Sequence, residues 1–214
     1  RAVGRAIYAL TLSLVCSTTL SAQPTALQGD MHRIMDQTGA RGLAVAVIKN
    51  GQVTSIEALG ERNTHGDPLT TDSIMYAASL TKMAFGYPVM QLVQEGLLDL
   101  DASIAEYLPQ PLPSYTDPSF EDDYARWSDL ADDERWRMLT PRILLNHGSG
   151  FANFGFLEPD GKLRFHFDPG TRYAYSGDGL ILLQFVLEKG LGLNVGEEMQ
   201  KRLFDPLQMR DTSM

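Results

Sequence analysis

Ser79 and Lys82 are spaced so that they could serve as a nucleophile and its base. A serine hydroxyl attacks a carbonyl carbon poorly until a neighbouring group removes its proton, and a neutral lysine can be that group. Lys82 follows Ser79 by three positions, so on a helix both side chains would project from one face. The same spacing also arises by chance, and structural coincidence is the alternative on this evidence alone.

The helix predicted to carry this pair extends over residues 79–95 and ends at Gly96. Apolar residues lie almost all round it, which predicts a buried central helix, and Pro88 predicts a kink. Its N-terminus would bring the positive end of the helix dipole to Ser79, where negative charge develops during attack. Apolar surroundings would also favour the neutral form of lysine that a base requires.

The sequence on both sides of this helix predicts further elements. Residues 25–38 have helical spacing, and residues 42–49 and 52–59 are two strand candidates joined by Asn50-Gly51, the dipeptide favoured in two-residue hairpin turns. Three more helices are predicted, at residues 140–145, 179–189 and 195–204. The acidic segment over residues 109–136 favours a solvated insertion, with the rim of a substrate cleft as the alternative.

The composition is that of a globular protein and excludes some classes of partner. Hydrophobic residues make up 43% and charged residues 21% of the 214 residues, and the formal net charge is -9. Nucleic acids and anionic membrane surfaces would need clustered lysine and arginine, so neither is predicted as a partner. His32, His65 and His166 lack metal-ligand spacing, and no metal site is predicted.

Residues 1–22 are typical of an export signal. Two arginines precede an apolar run over residues 6–15, and small residues follow up to Ala22. The run is shorter than the roughly 20 residues of a membrane span, which makes a permanent transmembrane helix the less favoured interpretation. We therefore expect a periplasmic or secreted protein with no stable membrane span after cleavage. Its mature chain would lack Cys16, and with it any disulfide or thiol nucleophile.

Several motifs occur in order along the chain and together resemble one family. They are Ser79-Leu80-Thr81-Lys82, residues 89–101, Leu144-Leu145-Asn146-His147-Gly148-Ser149-Gly150, Pro169-Gly170-Thr171-Arg172-Tyr173-Ala174-Tyr175-Ser176, and Phe204-Asp205-Pro206-Leu207-Gln208-Met209. This set resembles the serine β-lactamase and penicillin-binding-protein superfamily, particularly its class C β-lactamase-like branch, over residues 25–214.

The resemblance implies that Tyr175 is a third catalytic residue. The second motif of the family is a tyrosine followed by polar residues, commonly Tyr-Ser-Asn in this branch, and the matching positions here are Tyr175-Ser176-Gly177. The implied role is to shuttle a proton with Lys82 between the serine and the leaving group. A phenol has an unperturbed pKa of about 10, so a nearby lysinium would have to lower it. Tyr173 offers a competing register, and an aromatic core position is the alternative for either tyrosine.

Gly177 departs from the family pattern. Where the family often has an asparagine that hydrogen-bonds the substrate amide, glycine offers no side chain, and this leaves esterase-like or peptidase-like chemistry open. It also motivates a second hypothesis, a catalytically silent binding protein that retains the penicillin-recognising fold. His147 precedes the tyrosine and matches a different family segment, so it is interpreted as structural.

The fold implied by the resemblance is α/β (α+β) and β-lactamase/transpeptidase-like, with an antiparallel sheet flanked by helices and an all-helical region. One domain would cover residues 23–214 and lack its C-terminal strands, together with the third family motif, Lys-Thr-Gly or His-x-Gly. The implied activity is that of a serine hydrolase without a cofactor, which forms an acyl-Ser79 intermediate from a small-molecule or peptide-like ester or amide. It would be of β-lactamase, esterase or D-amino-acid peptidase type. Residues 1–214 alone are expected to be inactive.

Overall fold

The computed structural model describes residues 25–117 and 125–214. The predicted export signal lies outside these residues, as does part of the acidic segment. The chain divides into two compact units, Arg1–Ser73 and Ile74–Met214.

The first unit begins with helix α1, Ala26–Thr38. The Thr25 side chain accepts a hydrogen bond from the backbone N–H of Gln28, and the Gln28 side chain accepts one from the backbone N–H of Thr25. This reciprocal capping satisfies backbone donors that the first turn leaves free. Gly39, with φ 73°, ends the helix in the left-handed region. The predicted helix and its stop are confirmed.

A β-hairpin follows α1 in the same unit. Strands β1, Gly42–Lys49, and β2, Gln52–Gly60, pair antiparallel, with a register irregularity between Val47 and Ile48. Asn50 and Gly51 have φ values of 53° and 74°. Two consecutive residues with positive φ match the twist of the flanking strands, which is why this dipeptide favours the turn. The predicted hairpin is confirmed.

The second unit contains helix α2, Leu80–Gln94, which begins directly after Ser79 and continues through Pro88. One side of α2 is buried through Phe85, Pro88, Val89 and Leu92. The other side exposes apolar residues, namely Leu80, Met83, Tyr87 and Met90. The prediction of burial all round was therefore wrong for the part of the chain described, because that part covers only one side of the helix.

The remaining helices of this unit pack together around a shared core. Helix α3, Pro141–Leu145, is capped by Thr140, and helix α4, Gly177–Gly190, by Ser176. Helix α5, Val195–Met199, continues as a π-helical turn, Gln200–Phe204. Helix α4 contacts both α3 and α5, and α2 also contacts α5. These helices agree with the prediction.

The acidic segment contributes to the core instead of forming a solvated insertion. Its described residues form short 3-10 turns, Leu112–Ser114, Trp127–Leu130 and Glu134–Met138. Trp127 and Trp136 are only 1% and 2% exposed. The charged residues lie between buried aromatic and aliphatic ones, so the average polarity of the segment concealed its role in packing.

In the parts of the chain that the structure describes, no single helix is long and apolar enough to cross a membrane. One pair of helical segments, Gly177–Gly190 and Val195–Phe204, is together long and apolar enough for a membrane span, by length and composition only. The two segments are bent by 103° relative to each other.

Candidate active site

Ser79 lies at the N-terminal boundary of α2, but its side chain does not cap the helix. The preceding residue, Ala78, has a φ of 46°, a left-handed conformation that costs a residue with a Cβ about 1 kcal/mol. The chain therefore bends sharply immediately before Ser79. The Ser79 hydroxyl, freed from capping, is available for other partners.

Those partners are Lys82 and Tyr175. Lys82 Nζ donates a hydrogen bond to Ser79 Oγ at 3.1 Å, and the Tyr175 hydroxyl donates one to the same oxygen at 2.8 Å. Lys82 Nζ also lies 5.2 Å from the centre of the Tyr175 ring. The first contact follows from helical spacing, whereas the second joins residues that are 96 positions apart. The structure thus brings all three predicted site residues together.

The electrostatics of Tyr175 follow from these contacts. The hydrogen bond with Ser79, followed by that with Lys82 and the charge of its ammonium, lowers the pKa of Tyr175 below its ordinary value of 10.0. Tyr175 therefore loses its phenolic proton more readily than a free tyrosine does. Tyr173, the competing register, is 70% exposed and packs its ring against His147 instead. Of the two tyrosines, Tyr175 is the one whose hydroxyl bonds to Ser79 Oγ.

The His147 ring packs against the Tyr175 ring. Its ring lies 4.5 Å from that of Tyr175, and its Nδ1 accepts a hydrogen bond from the Ser176 backbone N–H at 3.2 Å. Its carbonyl accepts another from the N–H of Ala174 at 2.9 Å. Burial, helped by the nearby charge of Lys82, lowers the pKa of His147, which favours the neutral ring that can accept at Nδ1. The structural interpretation of His147 missed this contact with Tyr175, because no local sequence pattern pairs the two positions.

Ser176 anchors the other side of Tyr175. The side chain is fully buried, donates a hydrogen bond to the Ala152 carbonyl at 2.8 Å and accepts one from the Gly179 N–H at 3.0 Å. The second bond caps α4, so Tyr175 stands at the start of that helix. The buried serine and the adjacent histidine ring together restrict where the phenol can point.

No group of three or more His, Cys, Asp or Glu side chains within residues 25–117 and 125–214 is placed to hold a metal ion. The chemistry available at the described site is that of a hydroxyl, an amine and a phenol.

Comparison with known proteins identifies the family. The Beta-lactamase family model matches residues 27–214, which is most of the chain. The chain belongs to the Beta-lactamase family. The resemblance inferred from the motifs is thus confirmed.

One curated relative in this family is a lovastatin esterase from Penicillium rubens, which is 32% identical over 192 residues. The match covers 78% of this chain and 47% of the relative, so the chain spans about half the length of that Beta-lactamase family protein.

Solved structures show the same fold. The D-amino acid amidase from Ochrobactrum anthropi SV3, in complex with L-phenylalanine amide, superposes with a TM-score of 0.65 at 23% identity. That match covers 86% of this chain and 51% of the amidase. The octameric penicillin-binding protein homologue from Pyrococcus abyssi gives a TM-score of 0.63 at 22% identity, over 86% of this chain and 42% of the homologue. The β-lactamase/transpeptidase fold class is thereby confirmed for this Beta-lactamase family member.

Proposed function

We propose that the protein is a serine hydrolase that acts on an ester or an amide through an acyl intermediate on Ser79. The observation that carries the proposal is the convergence of Lys82 Nζ and the Tyr175 hydroxyl on Ser79 Oγ, at 3.1 and 2.8 Å. The choice of substrate class is supported by the relatives, which include an esterase and an amidase by name.

In the proposed acylation step, Ser79 Oγ forms a bond to the carbonyl carbon of the substrate. Its proton passes to the phenolate of Tyr175 or to the neutral amine of Lys82, both of which lie within hydrogen-bonding distance. The bond from the carbonyl carbon to the leaving alcohol or amine then breaks, and the leaving group takes up that proton. Tyr175 is well suited to this exchange because its pKa is lowered, so that it can both accept and return the proton.

In the proposed deacylation step, water attacks the acyl carbon on Ser79. Tyr175 or Lys82 accepts the proton of the water, and the proton returns to Ser79 Oγ as the acid product leaves. The α2 helix begins directly after Ser79, so the positive end of its dipole would stabilise the oxyanion proposed for both steps.

The proposal is tested with the natural protein in full, labelled with a fluorophosphonate and with a penicillin probe. A covalent adduct on Ser79 is expected from at least one of them and should be lost in Ser79→Ala. Ser114→Ala is the matched control, because the Ser114 hydroxyl donates to the Pro111 carbonyl and lies outside the site. Absence of labelling by both probes in the folded parent would refute the proposal.

The alternative is a catalytically silent binding protein, and the same material separates the two hypotheses. A hydrolase turns over an activated ester about 10²- to 10⁴-fold more slowly in Lys82→Ala, whereas a binding protein holds substrate-like ligands without turnover and is indifferent to this change. A side chain at position 177 would clash with a neighbouring ring, as described below. The glycine there therefore has a steric explanation and is weaker support for a silent binding protein.

We also propose that the protein is exported and is therefore periplasmic or secreted, on the basis of residues 1–22. N-terminal sequencing of the protein from its natural host tests this. A mature chain that begins at Gln23 is expected, and a chain that retains the apolar run would contradict it.

A further inference from the structure

Gly177 is a glycine because a neighbouring ring occupies the place of its side chain. A Cβ built on Gly177 would lie 2.2 Å from Cε1 and 2.5 Å from Cζ of Phe154. Non-bonded carbon atoms do not approach each other this closely, so even an alanine at position 177 would require the ring to move. Gly177 is not among the residues with positive φ, so its backbone conformation does not itself demand glycine. The Phe154 ring occupies the space that a side chain at position 177 would need.

The space that the ring fills is on the same side of the chain as the Tyr175 phenol. Ser176 is extended, with φ -135° and ψ 120°. In extended backbone, alternate side chains leave on the same side, and they are separated by about 7 Å. Positions 175 and 177 therefore face one way, whereas Ser176 faces the other, into the core. Since the Tyr175 hydroxyl contacts Ser79 Oγ, this alternation would bring the Phe154 ring to the side of the chain from which Ser79 is reached.

Phe154 is held in this position by its neighbours in the chain. The Asn153 carbonyl accepts hydrogen bonds from the N–H groups of Gly177 and Asp178, at 2.7 and 3.0 Å. The buried Asp178 carboxylate accepts one from the Gly155 N–H at 2.6 Å. The residues on both sides of Phe154 are thus tied to the first turn of α4. Phe156 stacks on the Phe154 ring, with centroids 5.1 Å apart and 15° between the planes. The ring is therefore preorganised.

We propose that Phe154 is a specificity-determining residue that selects esters with an apolar acyl group, in particular one that carries an aromatic ring. This proposal rests on the hydrolase function proposed above. An asparagine at position 177 could hydrogen-bond a substrate amide, whereas this chain presents a fixed phenyl ring in the same place. A phenyl ring packs well against aromatic and aliphatic groups, and it has no oxygen or nitrogen with which to form a conventional hydrogen bond to a substrate amide. An acyl group seated on Ser79 would gain contact with Phe154 when it is large and apolar, and would not reach the ring when it is an acetyl group.

The test uses the natural protein in full and compares kcat/KM for p-nitrophenyl acetate, hexanoate and phenylacetate. Phe154→Ala is expected to lower kcat/KM for phenylacetate and hexanoate about tenfold and to change that for acetate less than about threefold. Leu157→Ala is the matched control, because Leu157 is an exposed apolar residue of the 3-10 turn Gly155–Leu157, which directly follows Phe154. It should leave all three values nearly unchanged. Equal losses on the three esters with Phe154→Ala would overturn the proposal.

Two further variants keep the test decisive if Phe154→Ala folds poorly. Phe154→Leu retains an apolar side chain without a ring, and it is expected to lose the preference for phenylacetate while it retains hydrolysis of hexanoate. Gly177→Asn is expected to lower the midpoint of thermal unfolding, and Phe154→Ala combined with it should recover most of that loss. An unchanged ester preference in Phe154→Leu, or independent effects in the double variant, would contradict the role given to the ring.

The outcomes for the two proposals are distinguishable. If neither probe labels the parent protein, the hydrolase function and the acyl selection that rests on it are both refuted. Labelling of Ser79 together with equal losses on the three esters refutes only the role of Phe154.

Discussion

Replacing Tyr175 by phenylalanine would remove the phenolic oxygen that lies 2.8 Å from Ser79 Oγ and leave the ring that packs on His147. Ser79 would retain Lys82 Nζ at 3.1 Å, so one of its two proton-transfer partners would survive. Loss of a general acid or base costs about 10²- to 10⁴-fold in rate. We expect kcat to fall by this factor, which corresponds to about 3–5 kcal/mol in activation free energy. Packing should be little affected.

The pH dependence gives this prediction a second readout. The Ser79 hydrogen bond and then Lys82 lower the pKa of Tyr175, so the phenolate forms at a lower pH than in free tyrosine. In the parent protein, kcat/KM should rise with pH through the lowered Tyr175 pKa, because the phenolate is the form that accepts the serine proton. Lys82→Ala should move this rise to higher pH, since it removes the second of these causes. The Tyr175→Phe variant should lack this rise.

The assay is the rate at which a fluorophosphonate phosphonylates Ser79, measured together with hydrolysis of a p-nitrophenyl ester. Tyr173→Phe is the matched control, because Tyr173 is two positions away, largely exposed and in ring contact with His147 as well. It should retain parental rates and the parental pH profile. A Tyr175→Phe variant within about threefold of the parent at every pH would refute the proton-transfer role assigned to the phenol.

Three further predictions concern the support of the site and the core. Burial raises the pKa of Asp178 to about 6 from 3.8, so the folded state holds the extra proton between these values and stability falls as pH rises through them. Asp178→Asn should lack this fall, and its free energy of unfolding in urea relative to the parent should rise by about 2 kcal/mol between about pH 4.5 and about pH 7.5; a constant difference would contradict this. His147→Ala removes the acceptor for the Ser176 N–H and the ring behind Tyr175, and it should lower kcat about tenfold with little change in KM. His147→Asn retains a hydrogen-bond acceptor and should recover part of the loss in kcat. Equal effects of the two variants would argue against a role for the hydrogen bond from the Ser176 N–H. Trp136→Ala should cost about 3–5 kcal/mol in the free energy of unfolding because Trp136 is 2% exposed, and a loss below about 1 kcal/mol would show that the acidic segment is dispensable for the core.

The features that could be predicted from the sequence are those set by local signals. Helix α1 with its Gly39 stop, the hairpin with Asn50-Gly51, and the capped start of α3 at Thr140 each depend on a few adjacent residues. The Ser79–Lys82 contact belongs to the same class, because it follows from helical spacing. The fold class and Tyr175 were reached only through the resemblance to a family.

The features that could not be predicted depend on contacts between distant positions. The aromatic contact of His147 with Tyr175 and the exclusion of a side chain at position 177 by Phe154 have no local signature. Trp127 and Trp136 were assigned to a solvated segment because acidic neighbours dominated its composition, although the two indoles are buried. The prediction that α2 is buried all round was wrong. The apolar pattern of a helix shows which side chains favour burial, but it does not show which side of the helix another element covers.

The contact between Phe154 and Gly177 also restricts the order in which this site can change during evolution. A first mutation that adds a side chain at position 177 meets the ring at 2.2 Å, so the ring must shift before the new group can be accommodated. A first mutation that shortens Phe154 opens the space at the cost of apolar contact, and only then does position 177 become free to vary. Among descendants of this protein, lineages with asparagine at position 177 should therefore carry a small residue at position 154, acquired first.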